Sequence, residues 1–334
     1  MKYILVDSMN LFFRARHGTY AQTDTWTKLG FCLHLMFTSV NKVIKKHGGD
    51  HVIFCLDGRS WRKNFYEPYK KNRKEAREAK SDKEIQEDKE FFEIFEEFNK
   101  YLREKTNCSV LRNDNAEADD LIARWIALHP NDEHVIVSSD SDFYQLITDQ
   151  VVQYNGITDQ LITLEGFFDY KGNLVIDNKT KEPKLPPNPK WLLFEKCMRG
   201  DTADNIFSAF PGVRTKSTKK RIGLEEAYND MDKKGYAWNN LMLQHWTDHN
   251  NMEHRVKDDY ERNCKLIDLT QQPQEIKDSI DKDIIETVNS KDTSGVGIHL
   301  LRFCKKYELV NISKYPDQYA SWLNKSYKGE LANV

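Results

Sequence analysis

The chain has 334 residues, enough for one large domain or two smaller ones, and 39% of them are hydrophobic, as is usual for globular proteins. Its net charge of −2 hides a segregation of charge: residues 59–80 carry nine Lys/Arg against three Glu, and residues 214–221 carry five Lys/Arg and no acid. No apolar stretch approaches the roughly 20 residues that cross a bilayer, and the first apolar run is too short for a secretory signal. We therefore expect an intracellular protein without a membrane partner.

The first half of the chain alternates short apolar runs with helical patterns. Residues 3–7 and 51–57 predict buried strands that each end in an aspartate, and a helical pattern at 25–46 lies between them. Further strands are predicted at 108–111, 134–138, 151–154 and 161–164, and further helices at 83–104 and 115–128. Continuous apolar strands that alternate with helices predict an α/β fold with a mainly parallel central sheet flanked by helices.

The second half changes character at residues 169–190. Four prolines in that stretch prevent regular structure, so we expect a surface insertion built from a hairpin and a loop. From Pro189 onward the pattern is helical, with runs at 254–266, 274–288 and 294–308, and the part after Gly200 has little strand signal. The six cysteines form no C-x-x-C pair, which favours reduced buried thiols over a zinc site.

Nine carboxylates stand at the ends of apolar runs or at the starts of helical patterns, where α/β sheets place their chemistry. They are Asp7, Asp57, Glu117, Asp119, Asp120, Asp140, Asp142, Asp201 and Asp204. Carboxylates gathered at one edge repel one another, and burial raises that cost, so such a cluster is tolerated where divalent cations neutralise it. Hard oxygen ligands favour Mg²⁺ or Mn²⁺.

Each acidic motif also has an ordinary structural interpretation. Acids in the first turn of a helix, as in E-A-D-D at 117–120, interact favourably with the helix dipole, and S-S-D-S-D at 138–142 is typical of a helix N-cap. R-G-D-T-A-D-N at 199–205 can be a polar loop after a helix end. Five acidic groups at comparable places are hard to explain as independent turns, and together they indicate a two-metal centre, whose ions lie about 3.5–4 Å apart and act on a phosphodiester.

The basic stretch 59–80 has two interpretations. Most runs of charge are exposed, solvated helices. Here the surplus of one sign and the aromatic residues Trp61, Phe65, Tyr66 and Tyr69 equally favour a nucleic-acid surface, because bases stack on aromatic rings. Basic flanks around an acidic, metal-loaded centre suit a polyanionic substrate.

Six blocks of sequence resemble the structure-specific 5′-nuclease (flap endonuclease) superfamily and follow that family's order over most of the first 215 residues. They are V-D-S-M-N-L-F-F-R (6–14), F-C-L-D-G (54–58), Y-K-K-N-R (69–73), E-A-D-D (117–120), S-S-D-S-D-F-Y-Q-L (138–146) and R-G-D-T-A-D-N-I (199–206). The Y-K-K-N-R block, the K-x-A-R that follows it, and R-T-K-S-x-K further on resemble bacteriophage members of the T-even type, historically called ribonuclease H.

The resemblance implies a role for each matching acid. Asp7, Asp57, Glu117, Asp119 and Asp140 would hold the first of two Mg²⁺ ions, which Mn²⁺ could replace. Asp142, Asp201 and Asp204 would hold the second, with Asp120 nearby. Lys70 and Arg73 match the residues that contact the scissile phosphate, and with Asp140 they form the catalytic set. The resemblance implies a PIN-like nuclease domain at 1–200, a helical arch at about 59–105, and a helical region at 201–334 that binds duplex DNA.

The predicted nucleic-acid contacts come from the arch, the first motif and the segment after Gly212. They are Arg14, Arg62, Lys63, Tyr69, Lys70, Lys71, Arg73, Lys74, Arg77, Arg214, Lys216, Ser217, Lys219 and Lys220. Most family members carry a glycine-rich helix–turn–helix there, whose amides bind K⁺ and a duplex phosphate. This chain keeps Gly212 but lacks the second glycine pair, which puts the K⁺ site in doubt and favours basic side chains as the phosphate contacts.

The resemblance implies a 5′→3′ exonuclease and flap endonuclease that acts on RNA·DNA and DNA·DNA duplexes and on flapped, nicked or branched DNA. It would remove RNA primers during replication, as a monomer, in the host cytoplasm if the chain is viral. A single-stranded-DNA-binding protein or a sliding clamp is a candidate partner. The alternative is a non-catalytic protein that binds branched DNA, although no matched carboxylate is missing. A small-molecule phosphatase would need a second Asp where Met9 stands, and a toxin-like ribonuclease would lack the arch.

Overall fold

The computed structural model describes residues 1–19, 24–289 and 292–332. The chain forms two compact units. The first, which we call the sheet unit, comprises Met1–Ser60, Lys80–Pro187 and Pro273–Val334. The second, the helical unit, comprises Trp61–Ala79 and Asn188–Gln272. Packing thus divides the chain differently from the predicted boundary at residue 200, and the predicted domains at 1–200 and 201–334 stay a prediction.

A single large sheet carries the sheet unit. Its strands within the described residues are β1 (Lys2–Asp7), β2 (His51–Leu56), β3 (Ser109–Arg112), β4 (Glu133–Val137), β5 (Val151–Asn155), β6 (Gln160–Thr163) and β7 (Gly166–Phe168). They lie in the order β3-β2-β1-β4-β5-β6-β7. β1 to β5 are parallel, and β6 and β7 add an antiparallel edge. The predicted α/β class and its mainly parallel sheet are therefore confirmed.

The helices of the described residues are α1 (Ser8–His17), α2 (Thr25–His47), α3 (Arg62–Phe65), α4 (Lys71–Glu78), α5 (Asp82–Lys105), α6 (Ala118–Leu128), α7 (Pro189–Arg199), α8 (Leu224–Asp230), α9 (Tyr236–Met242), α10 (Val256–Ile267), α11 (Gln274–Asn289), α12 (Val296–Lys306), α13 (Val310–Ser313) and α14 (Pro316–Leu323), and a 3₁₀ helix runs over Ser141–Leu146. α3, α4 and α7 to α10 belong to the helical unit, and the others to the sheet unit. None of the described helices is long and apolar enough to cross a membrane.

The core of the sheet unit forms where α2, α5 and the C-terminal helices cover the central strands. The first four residues of the Y-I-L-V-D run are fully buried, which explains why this strand is apolar throughout and not alternating. Phe37 of α2, Phe54 of β2 and Phe98 of α5 meet edge to face, with ring centroids 5.1 and 5.9 Å apart. α5 begins with a complete capping box between Ser81 and Glu84, so its start is encoded locally.

The helical unit packs around a second core formed by Phe194, Met198, Leu224, Leu241 and Val256. The predicted helices at 189 and at 254–266 are confirmed by α7 and α10. The hairpin formed by β8 (His245–Thr247) and β9 (Glu253–Arg255) is not predicted by the sequence. Its strands are three residues long and largely polar, so they lack the apolar alternation that marks a strand.

Candidate active site

The acids that end β1 and follow β2 lie at the carboxyl edge of the parallel strands, as predicted. The Asp7 carboxylate caps α1 by accepting the Asn10 amide at 3.2 Å, and it accepts the Ser138 hydroxyl at 2.8 Å. The Asp57 carboxylate accepts the Ala118 amide at 2.8 Å. The Asp7 bond to Ser138 joins the ends of β1 and β4, and the Asp57 bond joins the end of β2 to the start of α6.

Three of the predicted acids act on one another electrostatically. Burial is the main reason that the pKa of Asp7 is raised to about 7, and the negative charges of Asp57 and Asp140 raise it further. The hydrogen bonds from Asn10 and Ser138 lower it and do not cancel that rise. Asp7, Asp57 and Asp140 are 50 or more residues apart in sequence, so the fold itself concentrates negative charge at this edge.

The E-A-D-D motif lies at the start of α6 and caps the N-terminus of that helix. The Glu117 carboxylate and the Asp120 carboxylate form a reciprocal capping box, and Asp120 is fully buried while it accepts the Glu117 amide at 3.1 Å. Asp119 accepts the Asp120 amide at 2.7 Å, and Glu117 also accepts the Ser60 hydroxyl at 3.0 Å. The capping interpretation of this motif is confirmed, and a role for these acids in metal binding stays a prediction.

Asp140 and Asp142 follow β4 as the sequence indicates. The Asp140 carboxylate accepts the Asp142 amide at 3.0 Å and thereby caps the 3₁₀ helix. Two residues outside the predicted set of site residues, Ser138 and Gln153, hold this turn in place. The Ser138 hydroxyl accepts the Asp140 amide at 3.1 Å, and the buried Gln153 side chain donates to the carbonyls of Ser138 and Asp140 at 2.9 and 2.7 Å. Gln153 interrupts an apolar strand, and that interruption is the one signal by which it could have been found.

The donor set at this edge fits a hard divalent cation, because it consists of carboxylate oxygens whose mutual repulsion a cation relieves. Within residues 1–19, 24–289 and 292–332, however, no three His, Cys, Asp or Glu side chains stand together in a ligating arrangement. The acids here are engaged by amides and hydroxyls of the chain. The structure therefore locates the cluster of negative charge, and the assignment of individual acids to two ions stays a prediction.

Asp201 and Asp204 belong to the helical unit, in the turn that follows α7. This turn requires Gly200, whose φ is +75° and where a Cβ would lie 2.3 Å from the Ile206 carbonyl oxygen. Burial raises the pKa of Asp201, but the Lys196 ammonium 2.8 Å away and nearby amides outweigh it, so the net pKa lies below the usual range. Lys196 is a partner that the sequence did not single out.

The Asp204 carboxylate interacts with basic and phenolic side chains from residues 69–73. The Tyr69 hydroxyl donates to it at 3.1 Å, the Arg73 guanidinium pairs with it, and the Lys70 ammonium lies 3.6 Å away. Lys70 has a left-handed backbone with φ of 55°, and its amide donates to the Asp204 carbonyl at 2.8 Å. We call this arrangement the Asp204 latch. It gathers both predicted phosphate-contacting residues, Lys70 and Arg73, at one carboxylate.

Two residues of the basic segment that are predicted to contact nucleic acid are buried in the helical unit. The Arg62 guanidinium donates to the Leu266 carbonyl at 2.7 Å. The buried Tyr69 takes part in the Asp204 latch, and contact of either residue with nucleic acid stays a prediction. Lys70 is half-buried. The other predicted contacts of this segment are exposed, and they are Lys63, Lys71, Arg73, Lys74 and Arg77.

The segment after Gly212 presents a second basic surface. Arg214, Lys216, Lys219 and Lys220 are exposed around a pocket of about 420 Å³. Ser217 forms hydrogen bonds within the chain. The Ser217 amide donates to the Glu226 carboxylate at 3.0 Å, and the Ser217 hydroxyl accepts the Gly223 amide at 2.9 Å. The Ser217 amide is thus bound to a carboxylate of the chain, which is consistent with side chains serving as phosphate contacts here.

Arg14, on α1, is half-buried in the sheet unit. Burial lowers the pKa of its guanidinium, and the Tyr154 hydroxyl beside it acts in the opposite direction. A Cβ on Gly156 would lie 1.4 Å from a guanidinium nitrogen of Arg14, so any larger residue there would have to displace the guanidinium. Its predicted contact with nucleic acid stays a prediction.

The raised pKa of Asp7 predicts that the metal-free protein gains stability when that charge is removed. The unfolded Asp7 ionises above pH 3.8 and the folded one only above about 7, so between these values the folded state binds more protons. Stability therefore falls as pH rises through this window, and the cost is fully present above pH 7. Asp7→Asn should raise the free energy of unfolding by about 2 kcal/mol at pH 8 and by less at pH 5.

Urea unfolding in EDTA at both pH values measures this difference, with the exposed Asp149→Asn as a control that should change stability little. Mg²⁺ should stabilise the wild type more than it stabilises Asp7→Asn. A less stable Asp7→Asn at pH 8 would show that this carboxylate is not under repulsion.

The comparisons with known proteins follow the same lines as the geometry. Residues 2–172, more than half of the chain, match the 5′-3′ exonuclease, N-terminal resolvase-like domain. Flap endonuclease Xni of Shewanella loihica is 26% identical over 242 residues, which cover 70% of this chain and 82% of the relative. DNA polymerase I of Caldicellulosiruptor bescii is 26% identical over 249 residues, which cover 70% of this chain and 26% of the polymerase.

Solved structures share the fold. A bacteriophage T5 flap endonuclease variant in complex with DNA and metal ions is 21% identical, with a TM-score of 0.58, and the match covers 86% of this chain and 99% of that one. The T5 5′-exonuclease with bound divalent metal ions (zinc) is 22% identical, with a TM-score of 0.59 and the same coverage.

Acids gathered at the carboxyl edge of a parallel sheet suit a metal-dependent phosphodiesterase. The extent of the family match makes the assignment firm: the chain belongs to the 5′-3′ exonuclease (flap endonuclease) family. It is accordingly a phosphodiesterase, and the predicted family is confirmed.

Proposed function

We propose that this protein is a divalent-metal-dependent 5′→3′ exonuclease and flap endonuclease that acts on RNA·DNA and DNA·DNA duplexes and on branched DNA. Its task in replication would be the removal of RNA primers. The observation that carries the proposal is the cluster of Asp7, Asp57 and Asp140, where the fold concentrates negative charge and raises the pKa of Asp7. Three carboxylates would repel a phosphodiester unless divalent cations neutralised their charge.

Two Mg²⁺ ions, which Mn²⁺ could replace, supply charge neutralisation and activation of the attacking water when bound. The chain's own contribution is to hold the ligand groups still. The Asn10 amide and the Ser138 hydroxyl orient the two oxygens of Asp7, and the Ala118 amide orients Asp57. Gln153 fixes the turn that carries Asp140. These fixed groups lower the reorganisation that the reaction would otherwise require.

Lys70 and Arg73 are the proposed contacts to the scissile phosphate. In the Asp204 latch the Asp204 carboxylate lies beside both the Lys70 ammonium and the Arg73 guanidinium, so the phosphate of a substrate competes with Asp204 for these two groups. An arginine offers a planar, bidentate match to phosphate, and a lysine offers a compact charge that stabilises negative charge in the transition state. A metal ion bound by Asp204 would free Lys70 and Arg73 to bind phosphate. We propose that these two binding events therefore favour each other.

The proposed substrate contacts are the exposed basic residues of the two surfaces, at 63–77 and at 214–220. Single-stranded and duplex nucleic acid both present closely spaced phosphates to such surfaces, which makes binding dependent on salt. We propose that the protein acts as a monomer, with a single-stranded-DNA-binding protein or a sliding clamp as the candidate partner. A K⁺ site is not part of the proposal.

A 5′-labelled flap substrate tests the function directly. With Mg²⁺ we expect release of the flap near the branch point and, on nicked or gapped duplexes, short products with 5′-phosphate ends. EDTA should stop cleavage and leave binding in a gel-shift assay. An RNA-primed substrate should also be cut. Tight binding of branched DNA without any cleavage in Mg²⁺ or Mn²⁺ would favour the alternative, a non-catalytic binding protein.

A further inference from the structure

Helix α11 binds the loop that joins β3 to α6, which we call the 113–116 loop. The Asn113 side-chain amide donates to the Ser279 hydroxyl at 2.8 Å and to the Asp283 carboxylate at 2.6 Å, so both of its N–H groups bind α11. Its side-chain oxygen accepts the Asn115 amide at 2.9 Å and so stabilises the turn of the loop. Asn113 is 4% exposed, so water competes little for these bonds.

The other side of the 113–116 loop binds the residues that follow β2. The Gly58 amide donates to the Ala116 carbonyl, and the Arg59 amide donates to the Asp114 carbonyl, both at 2.9 Å. A Cβ on Gly58 would lie 1.9 Å from the Asn113 carbonyl oxygen, so a larger residue there would push the two backbones apart. The loop is thus bound by α11 on one side and by the chain after β2 on the other.

A second contact joins α11 to α6 itself. The Arg124 guanidinium donates to the two carboxylate oxygens of Asp281 at 2.8 and 2.5 Å, and the two side chains are 14% and 9% exposed. A bidentate pair fixes the orientation of its partners as well as their distance. Arg124 follows Asp120 by four residues, so it lies on the same side of α6 as that acid.

Apolar packing alone does not account for these contacts. α11 buries Ile276, Ile280 and Ile284 at a four-residue spacing, which is typical of an amphipathic helix on a core. Such packing does not require a buried Asp281 or a buried Asn113, and buried polar groups are costly unless they are bonded. The polar bonds of α11 converge on α6 and on the loop that directly precedes the E-A-D-D motif.

We propose that Asn113 is a positioning residue of the proposed metal centre and that its bonds to α11 set the position of Glu117. The inference rests on the proposed function. Glu117 directly follows the loop, and the next amide, that of Ala118, donates to the Asp57 carboxylate at 2.8 Å. Movement of the loop therefore disturbs two of the predicted metal ligands together. Loss of groups that orient metal ligands typically weakens metal binding by roughly 10- to 100-fold.

Asn113→Asp tests this assignment, because it places a second carboxylate against Asp283 while its other oxygen can still accept the Asn115 amide. The repulsion should release the loop from α11. In EDTA, we expect the amides of residues 113–118 to exchange hydrogen at least about tenfold faster than in the wild type. Isothermal titration should show Mg²⁺ binding weakened by about tenfold, and the Mg²⁺ concentration for half-maximal single-turnover cleavage should rise by a similar factor.

The double variant Asn113→Asp/Asp283→Asn restores the hydrogen bond with donor and acceptor exchanged and keeps the net charge of the wild type. It should recover slow exchange and most of the Mg²⁺ affinity, which a general loss of stability would not allow. Asn107→Asp is the matched control, because Asn107 is equally buried, precedes β3, and donates to the Thr293 and Asn324 carbonyls. It should lower stability in urea and leave Mg²⁺ affinity unchanged.

If Asn113→Asp does not fold, Asp283→Ala removes the acceptor from the α11 side, and the same three measurements apply. Wild-type exchange or wild-type Mg²⁺ affinity in a folded variant would overturn the assignment, as would equal losses of Mg²⁺ affinity in Asn113→Asp and Asn107→Asp. A wild-type protein that binds Mg²⁺ and cuts no DNA would overturn the proposed function, and the exchange and titration results would still decide the role of Asn113.

Discussion

Replacing Asp140 by Asn is expected to abolish cleavage while largely sparing the binding of branched DNA. The side chain is isosteric, and its Oδ1 can still accept the Asp142 amide, so the turn after β4 should keep its shape. What is lost is a negative charge in the group formed with Asp7 and Asp57, and with it the affinity for the cations. We expect the single-turnover rate to fall by roughly 10³-fold or more, the scale on which charged groups at a reacting centre act.

Single-turnover cleavage of a labelled flap and a gel shift in Ca²⁺ or EDTA measure the two properties on the same preparation. Asp149→Asn, an exposed aspartate beyond the 3₁₀ helix, is the matched control and should cleave normally. Isothermal titration with Mg²⁺ should show weaker binding to Asp140→Asn than to the control. Cleavage by Asp140→Asn at a rate near that of the wild type would count heavily against the proposed centre.

Removing either basic side chain of the Asp204 latch, Lys70 or Arg73, should slow the chemical step more than it weakens substrate binding. Lys70→Ala and Arg73→Ala each remove a charge that the scissile phosphate would otherwise attract. We expect losses of about 10²-fold in single-turnover rate for each, because the charge acts where negative charge develops in the transition state. The dissociation constant for the flap should change by less than about tenfold, since one contact among many supports binding.

Lys74→Ala is the control for this series. Lys74 is exposed on α4, one helical turn after Lys70, and its ammonium lies 3.8 Å from the Glu78 carboxylate. It should reduce the salt dependence of binding and leave the single-turnover rate nearly unchanged. Tyr69→Phe separates positioning from charge, because it removes one hydrogen bond to Asp204 and keeps the packed ring. An unchanged rate in Lys70→Ala would remove its proposed role.

Prediction from sequence worked best where apolar periodicity is long and local. The strand predicted at 51–57 is β2, His51–Leu56, and the helix predicted at 25–46 is α2, Thr25–His47. Both are continuous or strongly periodic segments that bury one side in the same core. α1, Ser8–His17, has no separate prediction, because it follows β1 without an intervening turn and its buried Leu11, Phe12 and Ala15 merge with the preceding apolar run.

The partners of the side chains in the basic segment could not be predicted in the same way. Composition indicates a charged surface at 59–80, and most of its cations are indeed exposed. Composition does not reveal that Arg62 points inward to the Leu266 carbonyl, because that bond joins residues 204 positions apart. The same holds for Arg73 and Asp204, which are 131 positions apart. Pairings of this kind depend on how helices pack, and a local pattern carries no record of that.

The order of residues alone was sufficient to locate the acids, since each one closes an apolar run or opens a helix, and the carboxyl ends of parallel strands necessarily share one edge. It was also sufficient for the fold class, because alternating buried strands and helices have few ways to pack. Folding in three dimensions decided the rest. It set which carboxylates repel one another, that Ser138 and Gln153 hold them, and that Asp204 takes Lys70 and Arg73 as partners. The physical reason is that charge interactions and hydrogen bonds depend on distance in space, whereas a sequence records only distance along the chain.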